Sequence, residues 1–231
     1  VIGSDHLLKI RDEGELMYVL VSRGTGDEAY MIGKTAVSQI QNLIIAYKER
    51  FDRNNFFQNL LLDNLLLVDI YNRAKKLHVE VAVPRVVLLV ETKAERDGTA
   101  SELLSGMFAG QSGDYITAVD ESSVILIKSL KNGESYEEIE QMAYTIVDMM
   151  NMEAMLNVRV AYGTIVNELK DVSKSYKEAK MALDVGKIFY VEKRVDAYNT
   201  LGIGRLIYQL PVNLCKIFIE EIFGDKEALE F

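Results

Sequence analysis

Few side chains in this sequence have the types and spacing that chemistry needs. Asp120-Glu121 sets two acids side by side in a polar break between β-rich runs, where carboxylates could reach a divalent cation. Taken alone, such a pair reads as a solvated hairpin. Ser101, Ser105 and Ser112 have no histidine near in sequence to activate them as nucleophiles. Gly202-x-Gly204 lacks the third glycine and the strand-then-helix setting of a dinucleotide fingerprint, and reads as a helix entry. His6 and His78 stand far apart, which argues against a zinc or histidine-centred site. Cys215, beside Leu214 and Ile217, reads as a buried structural thiol; with no second cysteine the chain forms no internal disulfide, as expected in a reducing compartment. Met142, Met149, Met150, Met152 and Met155 read as core filling on a helical stripe. No catalytic residue, metal or cofactor is expected.

The elements that would position these groups fill 231 residues, 49% hydrophobic and 26% charged, enough for a real core and too apolar for a disordered chain. No window reaches the ~18 uninterrupted apolar residues of a membrane span, and no signal peptide opens the chain, so a cytoplasmic protein without a membrane partner is expected. Residues 1–78 hold ten basic and ten acidic side chains, so the whole net charge of -9 falls on residues 79–231. Nucleic-acid binding needs a basic surface, and Arg73-Ala74-Lys75-Lys76 is too short to make one. The first residue is not methionine, and Glu227–Phe231 reads as mid-helix. A fragment of a longer protein is therefore expected.

Leu16–Ser22 is a short apolar run that fits a buried strand, and Thr25-x-x-Glu28 is a capping box opening a helical pattern. That pattern runs without proline almost to Lys76. Its apolar positions include Val37, Ile40, Ile44, Tyr47 and Phe51, then Phe57, Leu61, Leu65, Val68 and Tyr71. So long a stretch predicts a coiled coil or a helical hairpin. The wide face at Leu60–Leu62 and Leu65–Leu67 suits a four-helix dimer bundle. Self-association through Ile40, Ile44, Tyr47, Phe57, Leu61, Leu65 and Val68 is expected.

Pro84 closes that region, and the pattern changes. Arg85–Glu91 reads as a buried strand; Thr99-x-x-Glu102 caps a short helix to about Ala109; Asp114–Val119 and Ser123–Lys128 form a hairpin. Ser135-x-x-Glu138 caps a long helix, Val158–Tyr162 is a fourth strand, and Ser175-x-x-Glu178 caps another helix. A short strand at 194–197 comes next, then two short helices split by Pro211. The order β-α-β-β-α-β predicts a ferredoxin-like α+β fold, its antiparallel sheet covered by helices on one face.

Val160-Ala161-Tyr162-Gly163 and Ser175-Tyr176-Lys177-Glu178-Ala179 with Ala182-Leu183 resemble the signature of the sugar-diacid (CdaR) and purine-catabolism (PucR) family of bacterial transcriptional regulators. Tyr198 and Leu201-Gly202-Ile203-Gly204-Arg205-Leu206-Ile207 extend the resemblance, which covers residues 57–223. It implies a sensory domain, a degenerate GGDEF-like domain and a C-terminal helix-turn-helix. On that layout residues 1–27 are a sensory tail, 28–78 a helical dimerisation and relay segment, and 79–200 the GGDEF-like domain. Residues 201–231 then lead to a helix-turn-helix beyond the chain, through which DNA would be bound.

Working diguanylate cyclases place a Gly-Gly-Asp/Glu-Glu-Phe hairpin beside an aspartate on the first strand, and the acids share divalent metal. On the same resemblance, that hairpin here reads Ala118-Val119-Asp120-Glu121-Ser122, and only Glu91 stands in for the first-strand acid. Both glycines are lost, and valine resists positive φ. The expectation is a non-catalytic, homodimeric relay responding to an unidentified small-molecule effector. The alternative is a nucleotide-binding or residually active cyclase-like domain resting on Glu91, Asp120 and Glu121.

Overall fold

A computed structural model describes residues 5–24, 26–92, 98–108, 113–130 and 133–223. The chain divides into two compact units, Val1–Phe57 and Gln58–Phe231. One helix runs through the boundary.

In the first unit, β1 (Asp5–Asp12) and β2 (Glu15–Arg23) form an antiparallel hairpin. Glu13 and Gly14 both take positive φ (49° and 91°), the backbone of the tight turn that matches strand twist. The sequence reading found β2 and missed β1, whose mixed Asp-His-Leu-Leu-Lys-Ile-Arg-Asp pattern carries little apolar signal. Helix α1 (Asp27–Leu61) lies along the hairpin. Ser22 Oγ donates to the Ala29 carbonyl at 2.7 Å, and Lys48 Nζ reaches Glu13 at 2.7 Å and Asp12 at 3.4 Å. Gly33 allows this approach, since a Cβ there would stand 2.5 Å from the Leu8 side chain and 2.9 Å from that of Ser22. Thr25 of the expected capping box lies outside the described residues.

The helical pattern expected to run almost to Lys76, as a coiled coil or a helical hairpin, is broken after Leu61. Asp63 adopts the left-handed conformation (φ 61°), its amide donates to the Leu60 carbonyl at 3.2 Å, and the Asn64 amide donates to that of Asn59 at 2.9 Å. These two bonds close the last turn of α1 in the manner of a Schellman stop, usually made by glycine and here by a short polar residue. Helix α2 (Leu67–Lys76) starts anew and buries Ile70 and Ala74. Phe57 and Leu61 are buried within the single chain, so neither can serve the dimer face expected of them. Ile40, Ile44 and Leu65 are half-buried; Tyr47 and Val68 are exposed.

The second unit is built on a five-stranded sheet in the order β4-β5-β3-β6-β7. Its strands are β3 (Arg85–Glu91), β4 (Tyr115–Thr117), β5 (Ser123–Ser129), β6 (Arg159–Tyr162) and β7 (Val195–Ala197). All neighbours pair antiparallel except β6 and β7. With α3 (Thr99–Phe108) after β3 and α4 (Tyr136–Ala154) after β5, this is the expected ferredoxin-like order plus one strand. The α+β class stands.

Cover on one face does not. Val86, Leu88 and Val90 of β3 join Val124 and Leu126 of β5 in a core closed by Leu104 of α3 and Ile139, Ala143 and Ile146 of α4. Side chains alternate along a strand, so Val87, Leu89, Ile125, Ile127 and Ala161 point the other way, and they are just as buried. That second face is covered by α5 (Val172–Phe189), where Gly186 sits against Asp196 of β7. A strand packed on both sides needs an unbroken apolar run, which is what Val86–Val90 supplies.

Ser135 caps α4 as expected: Glu138 N donates to its Oγ at 3.4 Å, and Ser135 N to Glu138 Oε2 at 2.7 Å. Ser175 caps nothing. It lies inside α5, fully buried. Helices α6 (Gly204–Gln209) and α7 (Val212–Phe223) flank Pro211. Cys215, expected to be buried, is only half-buried, because α7 leaves Leu214 and Ile217 half exposed. Met150 is core, whereas Met152 and Met155 are 80% and 90% exposed.

Candidate functional site

The acids singled out by the sequence meet at one end of the sheet. Glu91, the last residue of β3, is registered against Ser123, the first of β5, and the Thr92 amide donates to the Ser122 carbonyl at 2.9 Å. The five residues Ala118–Ser122 close the β4–β5 hairpin directly beside that strand end. Gln58 Nε2 also donates to the Ala118 carbonyl, at 2.7 Å.

Each acid is already engaged there or faces solvent. Asp120 Oδ1 accepts from Ser122 N and Ser122 Oγ, both at 3.0 Å, and from Ser123 Oγ at 2.7 Å. Partial burial works to raise its pKa, but the bonds from Ser123 and Ser122 win and hold the carboxylate below its ordinary range. Glu91 forms an ion pair with Lys187 of α5. Glu121 is exposed. None of residues 118–122 takes positive φ, so the hairpin accepts Ala118 and Val119 without the strain that a glycine pair would relieve. Among the described residues no three His, Cys, Asp or Glu side chains converge as a metal site. Asp120 is held through Oδ1 by two hydroxyls and an amide, and Glu91 by an ammonium.

The resemblance residues lie behind this hairpin and tie α5 to the sheet. β6 stops at Tyr162, and the chain does not bridge to β3 again until Val166 opposite Arg85. In that gap Ser175 Oγ accepts from Val87 N at 3.1 Å and donates to the Thr164 carbonyl at 2.8 Å, replacing a missing strand partner. Glu178 accepts from Thr164 N at 2.9 Å and from its hydroxyl. Gly163 permits the contact: a Cβ there would lie 2.0 Å from the Ser175 carbonyl oxygen. Burial, and then the charge of Asp120, push the Tyr176 phenol up. Ala179 is wholly buried on the same helix. Burial, then the charge of Glu140, pushes the Tyr162 phenol up to about 12.

This strand order, with its hairpin beside the end of the first strand, agrees with what the sequence comparison finds. The family model described as a GGDEF-like domain matches residues 64–185. The chain belongs to the GGDEF-like domain family. The GGDEF-like match includes α2, which lies within the expected helical segment 28–78. It also takes in Glu91, the whole hairpin and Ser175–Ala179. No curated protein matches the chain.

Two features of the second unit escaped the sequence reading. Asp196 of β7 is buried against Gly186, its Oδ2 accepts no hydrogen bond, and Arg159 Nε stands 3.8 Å away. Burial pushes this carboxyl up to about 6, against the pull of Arg159. Arg159 instead spends Nη2 on the carbonyls of Tyr190, Val191 and Lys193. Lys128 of β5 and Asp114 form a buried ion pair at 2.8 Å, and Asp114 Oδ1 accepts from Ser129 N at 2.9 Å. Neither pair carries a local sequence signal, because its members meet only through the sheet.

Gly202 (φ 54°) turns the chain into α6, and Gly204 lets that helix approach Val185 of α5, where a Cβ would stand 2.9 Å from the valine methyl. The helix-entry reading of Gly202-x-Gly204 agrees with this geometry. Ser105 Oγ donates to the Ser101 carbonyl at 2.7 Å, inside α3, and Ser112 lies outside the described residues.

Proposed function

We propose that this chain is the relaying and dimerising part of a bacterial, cytoplasmic, ligand-responsive transcriptional regulator of the sugar-diacid and purine-catabolism type. Its GGDEF-like domain has no catalytic role. One observation supports the non-catalytic reading: Asp120 and Glu91, the acids that the resemblance sets at the cyclase turn and first strand, are bonded to Ser122, Ser123 and Lys187. To hold the pair of metal ions that phosphoryl transfer uses, these carboxylates would have to give up those bonds.

The regulator type rests on the resemblance at 160–163, 175–179 and 201–207, which implies a DNA-binding helix-turn-helix after Phe231. The relay rests on α1, the element common to both units. Its exposed Leu43, Tyr47 and Phe51, with Ile40 and Ile44 beside them, offer a helical seam to a second copy. A change in ligand state at residues 5–57 would shift the pose of that helix and, through it, of the GGDEF-like domain.

The test is incubation of the chain with GTP and Mg²⁺ or Mn²⁺. The expected result is no cyclic dinucleotide and no shift in Tm; turnover or a shift of several degrees would establish the cyclase-like alternative. Sedimentation at tens of micromolar should show a dimer, and a monomer would remove the basis of the relay.

A further inference from the structure

The sheet of the GGDEF-like domain carries helices of opposite charge on its two faces. Helices α3 and α4 contain no lysine or arginine, and their six acids, Glu102, Glu137, Glu138, Glu140, Asp148 and Glu153, are all exposed. Helix α5, across the sheet, exposes Lys174, Lys177, Lys180 and Lys187, of which Lys177 and Lys187 pair with Asp63 and Glu91; of its own two acids Glu178 is buried and bonded and Asp184 is half-buried, accepting from the Tyr208 hydroxyl. Among the described residues neither Glu102 nor Glu153 meets a cation at ion-pair distance.

Between α3 and α4 runs a groove of about 390 Å³. Its floor is Leu103, Met107 and Met149, and Glu102 and Glu153 stand at its rim. Gly106 opens the α3 wall. A glycine inside a helix weakens it, and two structural reasons usually justify one: positive φ or a close contact. Gly106 has neither, for a Cβ built there would find nothing within 4 Å. Space is kept on this wall at a cost to the helix. Next to Glu153 the α4 end projects Met152 and Met155, thioethers that repack readily against varied apolar partners.

We infer that the α3–α4 face is a docking site for a basic amphipathic helix, whose apolar stripe enters the groove and whose lysines or arginines meet the acidic rim. Charge complementarity decides the sign of the partner. The form is set by the walls: α3 is ten residues long, about 15 Å, which suits two to three turns of a helix laid between two others. This site lies on the sheet face opposite α5 and owes nothing to the hairpin acids.

The test uses the full 231-residue chain and three labelled 14-residue peptides read by fluorescence anisotropy. One has leucines at i, i+3, i+4 and i+7 with lysines elsewhere; one has the same composition in scrambled order; one has glutamate for lysine. The first should bind, and the other two at least ten-fold more weakly. The pair Glu102→Gln and Glu153→Gln should weaken binding five-fold or more, and Gly106→Leu should do the same by filling the groove. The pair Glu220→Gln and Glu221→Gln, which removes the same charge from α7, should leave it unchanged. Equal binding of the scrambled peptide, equal loss in the two double variants, or no binding by the first peptide would each overturn the site. Circular dichroism and Tm of each variant separate loss of the groove from loss of the fold.

Discussion

The Val87 amide hydrogen is taken by the hydroxyl of Ser175, which lies 88 positions later in the chain, at 3.1 Å. The same hydroxyl donates to the Thr164 carbonyl, so one side chain closes the gap left where β6 turns away from β3. Ser175→Ala leaves a buried donor and a half-buried acceptor without partners, and roughly 2–6 kcal/mol of stability should go, at 1–3 for each group. Gly163→Ala should cost at least as much, since its Cβ has no room beside the Ser175 carbonyl. Urea unfolding checks both.

Asp196 makes stability fall as pH rises. Its folded pKa is raised to about 6 from an ordinary 3.8, so between those values the folded chain binds more proton than the unfolded one. Its destabilising effect is therefore absent below about 4 and complete above about 6. Asp196→Asn should remove that slope and raise stability at pH 7.5 by on the order of 1–3 kcal/mol, at 1.36 per unit. Chemical denaturation at pH 4.5 and 7.5 measures it; a variant no more stable than the parent at pH 7.5 would show that Arg159 makes good the burial of the carboxylate.

The ion pair of Lys128 and Asp114 should behave in the opposite way. Both ends are buried, so Asp114→Asn or Lys128→Met strands a charge and should cost about 3–5 kcal/mol. Replacing both, with Asp114→Leu and Lys128→Met, should recover most of the loss. A double variant as unstable as the sum of the singles would contradict this.

The stop of α1 rests on the left-handed backbone of Asp63. Asp63→Gly should be close to neutral, because glycine takes that conformation freely and the pair with Lys177 is exposed and screened by solvent. Asp63→Val should cost about 1–2 kcal/mol, since a β-branched residue resists positive φ. Thermal unfolding distinguishes the two.

That stop also shows where sequence reading reached its limit. Leu62–Leu66 contains no glycine or proline, so periodicity carried the helix through it, and only the tertiary setting makes Asp63 a terminator. The second-unit strands were legible because Val86–Val90 and Val124–Ile127 are apolar without alternation. The same unbroken run should have spoken for cover on both faces, a consequence that reading capping boxes alone obscured. Ser175-x-x-Glu178 matches a capping box letter for letter, yet both side chains turn inward to the β6 turn. The hairpin acids stand at the strand end that carries Glu91, but the bonds that occupy Asp120 come from Ser122 and Ser123, and the one that occupies Glu91 from Lys187, nearly one hundred positions away.

The doubly covered strand also has a history in time. Val86–Val90 leaves the ribosome well before β5, its first neighbour, and nearly seventy residues before β6, its second. At about 5–20 residues per second, this apolar ribbon waits roughly 3–14 s with at least one edge unpaired. During that interval the nascent chain, not the finished domain, is the species most prone to clump. Overproduction should therefore yield more dissolved protein when translation is fast relative to encounters between chains.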